Sequence, residues 1–182
     1  DFRYLDAELN GGVKTQCQGE KNGFYWTSDP RRLATARTVF IVESPINALS
    51  IETALAHQKG FACLAIRGVA NVGNIDWAFL RGKRAIIALD HTDRYDPKSG
   101  KRPGMDAAYR LYDALTSADI AARMVDMLEW NEGEDINDVL QYGPNELQIR
   151  LKKLDQWLIP GMPSVDARDG DKAQGRRRIF LP

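Results

Sequence analysis

The sequence predicts an α/β fold in which about four parallel strands are flanked by helices. Four short, mostly apolar runs carry this prediction: "TVFIVE", "FACLAIRG", "RAIIALD" and "AARMVDML". Segments with helical periodicity separate them, and strands that are apolar throughout and alternate with helices are typical of a parallel sheet covered on both faces. With 182 residues and 43% apolar content, the chain can bury the core of one domain.

The helices between these strands are predicted from caps and apolar spacing. "PINALSIETALAHQ" has proline at a first-turn position behind Ser44, a candidate N-cap, and its apolar residues Ala48, Ile51 and Leu55 share one face. "NIDWAFLRG" predicts a short helix ended by Gly82. "GMDAAYRLYDALTSA" predicts a longer one, with Ala108, Leu111, Tyr112 and Leu115 on its apolar face.

Changes of composition divide the chain into four segments. Residues 1–38 contain the turn signals "NGG" and "KNG" and predict a small β-rich N-terminal extension, with strands around "FRYLDAE" and "GFYWTS". Residues 39–142 hold the α/β domain. Residues 143–159 predict a C-terminal helix from Leu147, Leu151, Leu154 and Leu158, and residues 160–182 predict a linker or tail.

The composition argues against several settings for this protein. Lys plus Arg and Asp plus Glu each number 25, so any contact with nucleic acid must be local rather than driven by net charge. Cys17 and Cys63 lie far apart, without the spacing of a zinc site. No apolar run approaches a membrane span, so we expect a reducing, cytoplasmic setting and no membrane partner. Because the chain starts at Asp1, we expect it to be part of a longer protein.

Carboxylates follow the predicted strands at the points where they end. Glu43 comes directly after "VFIV", Asp90 ends "RAIIALD" with Asp93 close behind, and "EGEDIND" at 132–138, which includes Asp135, follows the fourth strand. The carboxyl ends of parallel strands meet at one edge of a sheet, where these groups would repel one another without a cation. Oxygen ligands alone indicate Mg²⁺ or Mn²⁺, and hence phosphoryl transfer or phosphodiester cleavage. Each carboxylate could instead be a helix N-cap or a solvated turn residue.

Basic residues lie beside this acidic edge in the sequence. Arg67 ends the second strand, and Arg94, Lys98, Lys101 and Arg102 form a basic loop after Asp90. These side chains would suit the phosphates of a nucleic acid or nucleotide, with a solvated surface loop as the alternative.

The tryptophans and the basic tail carry weaker signals. Trp26, Trp77, Trp130 and Trp157 are scattered rather than interleaved with basic residues, so we expect them to pack rather than to stack on bases. The run Arg176–Arg178 is expected to be a solvated linker.

In this order and at these distances, "VFIVESPINALSIE", "RAIIALDHTDR" and "EDINDVL" resemble the Toprim domain over roughly residues 37–141. That domain is shared by bacterial and phage primases, type IA and type II topoisomerases, and OLD-type and recombination-associated nucleases. In the family, a glutamate after the first strand and a DxD pair after the third bind Mg²⁺. The resemblance implies that Glu43 is this glutamate and Asp90 the first aspartate. "INALSIETAL" and "DINDVL" look most similar to the primase and primase-helicase branch.

The sequence departs from the family pattern at several positions. Thr92 stands where the second aspartate of DxD is expected, and Asp93 lies one residue later. Asn47 stands where primases often have aspartate, and their third acidic pair would fall on Asp135 and Asn137. The segment "YDPKSGKRPG" resembles an insertion.

The resemblance implies metal-dependent nucleotidyl transfer by a primase or primase-helicase-like replication protein of a phage, plasmid or other mobile element. Glu43, Asp90 and Asp93 would be catalytic and, with Asp135, would hold Mg²⁺ or Mn²⁺. Single-stranded DNA and nucleotides would be the partners, with a helicase in the same chain or a separate one. Two alternatives stay open: strand cleavage, as in nucleases and topoisomerases, with Glu43 as general acid or base; and a module that binds nucleic acid without catalysis.

Overall fold

The computed structural model describes residues 20–90, 102–127 and 130–154, with the short pieces 2–3, 8–9, 11–12 and 15–16. In chain order, the elements are β1 (Phe2–Arg3), β2 (Thr15–Gln16), α1 (Pro30–Thr35), β3 (Thr38–Val42), α2 (Pro45–Ala54), β4 (Phe61–Ala65), β5 (Arg84–Ala88), α3 (Pro103–Ser117), β6 (Ala121–Met124), α4 (Ile136–Gln141) and α5 (Pro144–Lys152). Short 3₁₀ helices cover Val69–Asn71 and Trp77–Leu80.

The predicted α/β fold is confirmed: four strands form one parallel sheet in the order β4-β3-β5-β6. The central strand β3 pairs with both neighbours along its whole length, and its last residue, Val42, lies between Ala65 of β4 and Ala88 of β5. The carboxyl ends of these three strands are therefore level with one another.

Alternate residues of each strand enter two separate hydrophobic cores. Val39 and Ile41 of β3 belong to the core that contains the apolar face of α3, whereas Phe40 and Val42 belong to the core that contains α2, α4 and α5. Cys63 of β4 lies in the second core, where burial raises the pKa of its thiol. Both faces of the sheet are thus covered, which is why the sequences of its strands are almost continuously apolar.

The two helices that follow β3 and β5 leave the sheet toward opposite faces. After β3 the chain enters α2 on one face, and after β5 it leads to α3 on the other. In an open parallel sheet, such a reversal opens a crevice at the carboxyl ends of the two strands, and ligands bind there. The residues directly after β3 and β5 therefore line the most favourable ligand position in this fold.

The start of α2 is fixed by its own sequence, as predicted. The Ser44 hydroxyl accepts a hydrogen bond from the Asn47 backbone N–H at 3.2 Å, and Pro45 occupies the first helical position, where no N–H is needed. This cap holds the turn that carries Glu43 into the helix.

Several elements differ from the sequence-based prediction. "GFYWTS" forms no strand; Trp26 alone pairs with Ala65, as an isolated antiparallel bridge. Helix α1 was not predicted, although Asp29 caps it and Pro30 begins it. The predicted helix over 143–159 ends at Lys152 because the chain turns extended and Leu154 pairs with Val125 at the end of β6. Leu158 and residues 160–182 lie outside the described residues.

Within the described part of the chain, no helix is long and apolar enough to cross a membrane. Trp77 and Trp130 are buried and Trp26 is half-buried, in agreement with a packing role, while Trp157 falls outside the described residues.

Candidate functional site

Glu43 and Asp90 lie at the ends of adjacent strands, in the crevice between β3 and β5. Glu43 follows Val42 directly, and Asp90 comes two residues after Ala88, the partner of Val42. Paired strands run about 4.8 Å apart, so the two carboxylates start from neighbouring points of the backbone. Both residues are half-buried.

Asn47 of α2 connects the helix to Asp90. Its side-chain Nδ2 donates to Asp90 Oδ1 at 3.3 Å and lies 3.5 Å from Oδ2. Asn47 is only 1% exposed, and its Oδ1 accepts no hydrogen bond from any described residue. The amide therefore orients the Asp90 carboxylate, while its own buried oxygen has no donor among the described residues.

Arg67 lies at the same edge of the sheet, next to Glu43. Its backbone N–H donates to the Glu43 carbonyl at 2.9 Å, so the pairing of β3 with β4 continues one step beyond the strands. Arg67 adopts a left-handed backbone conformation, with φ of 63°. That conformation costs a non-glycine residue about 1–2 kcal/mol and is concentrated at functional sites.

Asp135 has a local role at the start of α4. Its Oδ1 accepts from the Asp138 N–H at 2.8 Å, and Asp138 Oδ2 accepts from the Asp135 N–H at 3.0 Å, which together form a capping box. The same first turn of α4 reaches α2, where the Ser50 hydroxyl lies 3.2 Å from Asn137 Oδ1. The segment is thereby attached to the helix that carries Asn47.

Glu134, in the same acidic cluster, is buried in an ion pair. Its carboxylate accepts from Arg150 Nη1 at 2.8 Å and from the backbone and side chain of Asn131, both at 3.2 Å. Burial alone would raise the pKa of this carboxyl, but hydrogen bonds from Asn131, Tyr142 and Arg150 outweigh burial and lower the pKa. This carboxylate therefore stabilises the folded state.

Replacing Glu134 by Gln should destabilise the protein by about 1–3 kcal/mol at neutral pH, because the variant loses charge-assisted hydrogen bonds. The folded pKa is below the unfolded one, so this stabilisation is present above the unfolded pKa, about 4.3, and is lost as the pH falls through the folded pKa. Urea unfolding of both proteins at neutral and acidic pH measures the gap between the unfolding free energies of the wild type and Glu134→Gln. Glu132→Gln, an exposed neighbour, is the control. A gap that does not shrink in acid would contradict the ion-pair account.

The remaining predicted site residues are only partly described. Asp93, Arg94, Lys98 and Lys101 lie outside the described residues, whereas Arg102 is half-buried and directly precedes α3. Within the described ranges, no three His, Cys, Asp or Glu side chains are close enough to form a metal cluster. Mg²⁺ commonly takes only one or two protein carboxylates and completes its shell with water and phosphate. Glu43, Asp90 and the buried Asn47 Oδ1 are oxygen donors that fit this requirement.

A scan against known protein families matches residues 38–145 to the Toprim domain, which is more than half of the chain. The chain belongs to the Toprim family. Toprim domains occur in primases, topoisomerases and nucleases, are usually catalytic and generally bind Mg²⁺. A search of curated proteins and a search of solved structures gave no match.

Replacing Asn47 by Asp should make this Toprim centre dependent on Mg²⁺ for stability. A second carboxylate would lie about where Nδ2 now lies, 3.3 Å from Asp90 Oδ1. Like charges in a buried position repel, so without metal the variant should be about 1–3 kcal/mol less stable than Asn47→Ala. Excess Mg²⁺ should reduce this deficit.

Thermal unfolding of both variants with and without Mg²⁺ makes the comparison. Asn47→Ala is the matched control because it removes the same hydrogen bond without adding charge. Equal responses of the two variants to Mg²⁺ would show that position 47 does not face the cation.

Sequence reasoning missed two features near this Toprim edge. Asn71 was not singled out, yet it is buried and attaches the segment 21–24 to the sheet. The aromatic run in "KNGFYW" was interpreted as a strand, although a turn signal directly precedes it. Three consecutive aromatic residues after a turn that contains lysine are the signal that could have identified Phe24 and Tyr25, whose rings are exposed.

Proposed function

We propose that this Toprim domain carries out metal-dependent nucleotidyl transfer as part of a primase or primase-helicase-like replication protein. The observation that carries the proposal is the position of Glu43 and Asp90 just after adjacent strands, at the point where the chain reverses between the two faces of the sheet. The sequences of α2 and α4, which resemble the primase branch, favour synthesis over cleavage.

Each residue of the centre has a distinct role in this proposal. Glu43 and Asp90 hold Mg²⁺ or Mn²⁺, which when bound neutralises the phosphates of the incoming nucleotide. Asn47 keeps the Asp90 carboxylate turned toward the crevice through its 3.3 Å hydrogen bond. Arg67, one backbone hydrogen bond from Glu43, offers its guanidinium to a phosphate oxygen.

The loop after β5 supplies further groups in the same proposal. Asp93 takes the place of the second aspartate of the family pair, and Arg94, Lys98, Lys101 and Arg102 contact phosphates of the template or nucleotide. Asp135, which also caps α4, is a further carboxylate for the cation. Single-stranded DNA and nucleotides are the proposed substrates, and a helicase in the same or another chain is the proposed partner.

The test is incubation of the protein with single-stranded DNA, labelled nucleotides and Mg²⁺ or Mn²⁺, followed by separation of the products by length. We expect short metal-dependent oligomers from the wild type and none from Glu43→Gln. Glu52→Gln is the matched control, because Glu52 lies near the opposite end of α2. Shortened DNA without synthesis would assign the site to strand cleavage. The absence of both products would indicate a module that binds nucleic acid without catalysis.

A further inference from the structure

Residues 21–26 are attached by hydrogen bonds to the carboxyl end of β4. Trp26 exchanges two backbone hydrogen bonds with Ala65, at 2.9 and 2.8 Å. Asn71 Nδ2 lies within hydrogen-bond distance of the carbonyls of Lys21, Phe24 and Ile66, at 3.1, 2.8 and 2.8 Å. Ile66 directly precedes Arg67, so this segment borders the proposed catalytic edge.

The segment adds a cation to that edge. A Cβ atom built on Gly68 would lie 3.9 Å from Lys21 Nζ, which places the Lys21 ammonium beside the residue that follows Arg67. The charged end of Lys21 therefore lies close to the backbone that carries Arg67, so two cationic residues are neighbours at this edge. Although the chain as a whole has no net charge, this part of its surface can attract a phosphate backbone.

Exposed aromatic residues belong to the same segment as Lys21 and to the 3₁₀ helix that packs on it. Phe24 is 60% exposed, and Tyr25 and Phe79 are each 37% exposed. The rings of Tyr25 and Phe79 stack with centroids 4.8 Å apart and 18° between their planes. Phe79 in turn lies 6.5 Å from the buried ring of Trp77, which connects the pair to the core. The rings are therefore supported in place while much of their surface remains in water.

We propose that Phe24, Tyr25 and Phe79, together with Lys21 and Arg67, form a surface that binds single-stranded nucleic acid. Exposed rings can stack on unpaired bases of any sequence, and the neighbouring cations suit the strand's phosphates. This inference rests on the proposed function, since the strand bound here would be the template delivered to Glu43 and Asp90. A protein partner fits less well, because protein interface cores are depleted of charge and this patch is bordered by two cations.

The experiment is fluorescence anisotropy of labelled single-stranded DNA and RNA oligonucleotides with the whole chain, with metal chelated. The double variant Phe24→Leu, Tyr25→Leu keeps apolar volume and removes two rings, and we expect it to bind about tenfold more weakly. Ile149→Ala, an exposed apolar residue on α5, is the matched control and should bind as the wild type does. Lys21→Gln should lower the slope of log affinity against log salt by about 0.7.

Each outcome decides the proposal. Weaker binding by the double variant, with an unchanged unfolding midpoint, supports the surface, and the preference between DNA and RNA identifies the strand. Equal binding by the double variant and the wild type overturns it. A wild type that self-associates through these rings, with oligonucleotide affinity unaffected by the double variant, overturns it in favour of a protein contact. Because metal is chelated, binding without later synthesis counts against the proposed reaction and not against this surface.

Discussion

Replacing Glu43 by Gln and Asp90 by Asn together is expected to weaken Mg²⁺ binding by more than about a hundredfold, because the two principal anionic ligands become neutral while their shapes are kept. The two residues follow adjacent strands, and the side-chain oxygen of an asparagine at position 90 can still accept the hydrogen bond that Asn47 donates, so the fold should tolerate the change. Calorimetric titration of Mg²⁺ and Mn²⁺ into each protein measures the effect, and nucleotidyl transfer should be lost in parallel.

The control for this double variant is Glu52→Gln, which removes a carboxylate of α2 that accepts from the Ser28 hydroxyl away from the crevice. It should bind Mg²⁺ as the wild type does. If the double variant retained wild-type affinity, the cation would be held by other groups, and the roles assigned to Glu43 and Asp90 would be wrong.

Replacing Asn71 by Ala is expected to destabilise the protein by about 2–4 kcal/mol, the largest effect among the polar positions discussed. The Asn71 amide contacts three carbonyls and accepts from the Gly23 N–H at 2.9 Å, while only 3% of the residue is exposed. Truncation leaves the buried Ile66 carbonyl without this donor and releases the segment 21–24 from the sheet.

Urea unfolding of Asn71→Ala measures this loss against Asn74→Ala. Asn74 is exposed, and its side chain makes one long hydrogen bond to the described part of the chain, 3.4 Å from Nδ2 to the Ala70 carbonyl, so its loss should change stability by less than about 0.5 kcal/mol. Equal stability of the two variants would mean that the segment is held by the Trp26 bridge alone.

The sheet and its carboxyl edge could be predicted because local rules decide them. A strand buried on both faces is apolar at every position, so Glu43 and Asp90 were visible as the points where such runs end. The cap at Ser44 was equally visible, since Ser-Pro before an apolar periodic run signals a helix start.

The segments that were predicted incorrectly depend on contacts between distant parts of the chain. "GFYWTS" has the composition of a strand, but Asn71 bends the residues before Trp26 into a turn, and only Trp26 itself reaches β4. The predicted helix after residue 143 has leucines at helical spacing as far as Leu158, yet pairing of Leu154 with Val125 ends it early. Neither contact can be predicted from the local periodicity of the sequence.

The acidic cluster at 132–138 shows that carboxylates after a strand can also serve as helix caps and ion-pair partners. Asp135 and Asp138 satisfy each other's backbone N–H groups, and Glu134 pairs with Arg150. An acidic residue three positions after a potential N-cap is itself a capping signal, so this role was readable in "DIND". The amides at Asn47 and Asn137 likewise became interpretable only when their partners, Asp90 and Ser50, were known.

The most direct test of the account is a titration of Mn²⁺ into isotope-labelled protein, followed by the paramagnetic broadening of its backbone amide signals. Mn²⁺ held by Glu43 and Asp90 should first broaden the signals of residues 43–47, 67–68 and 89–90, which surround the crevice, and Mg²⁺ in excess should restore them. Broadening that spares residues 43–47 and 89–90, or that falls evenly over the exposed carboxylates, would contradict a metal centre between β3 and β5.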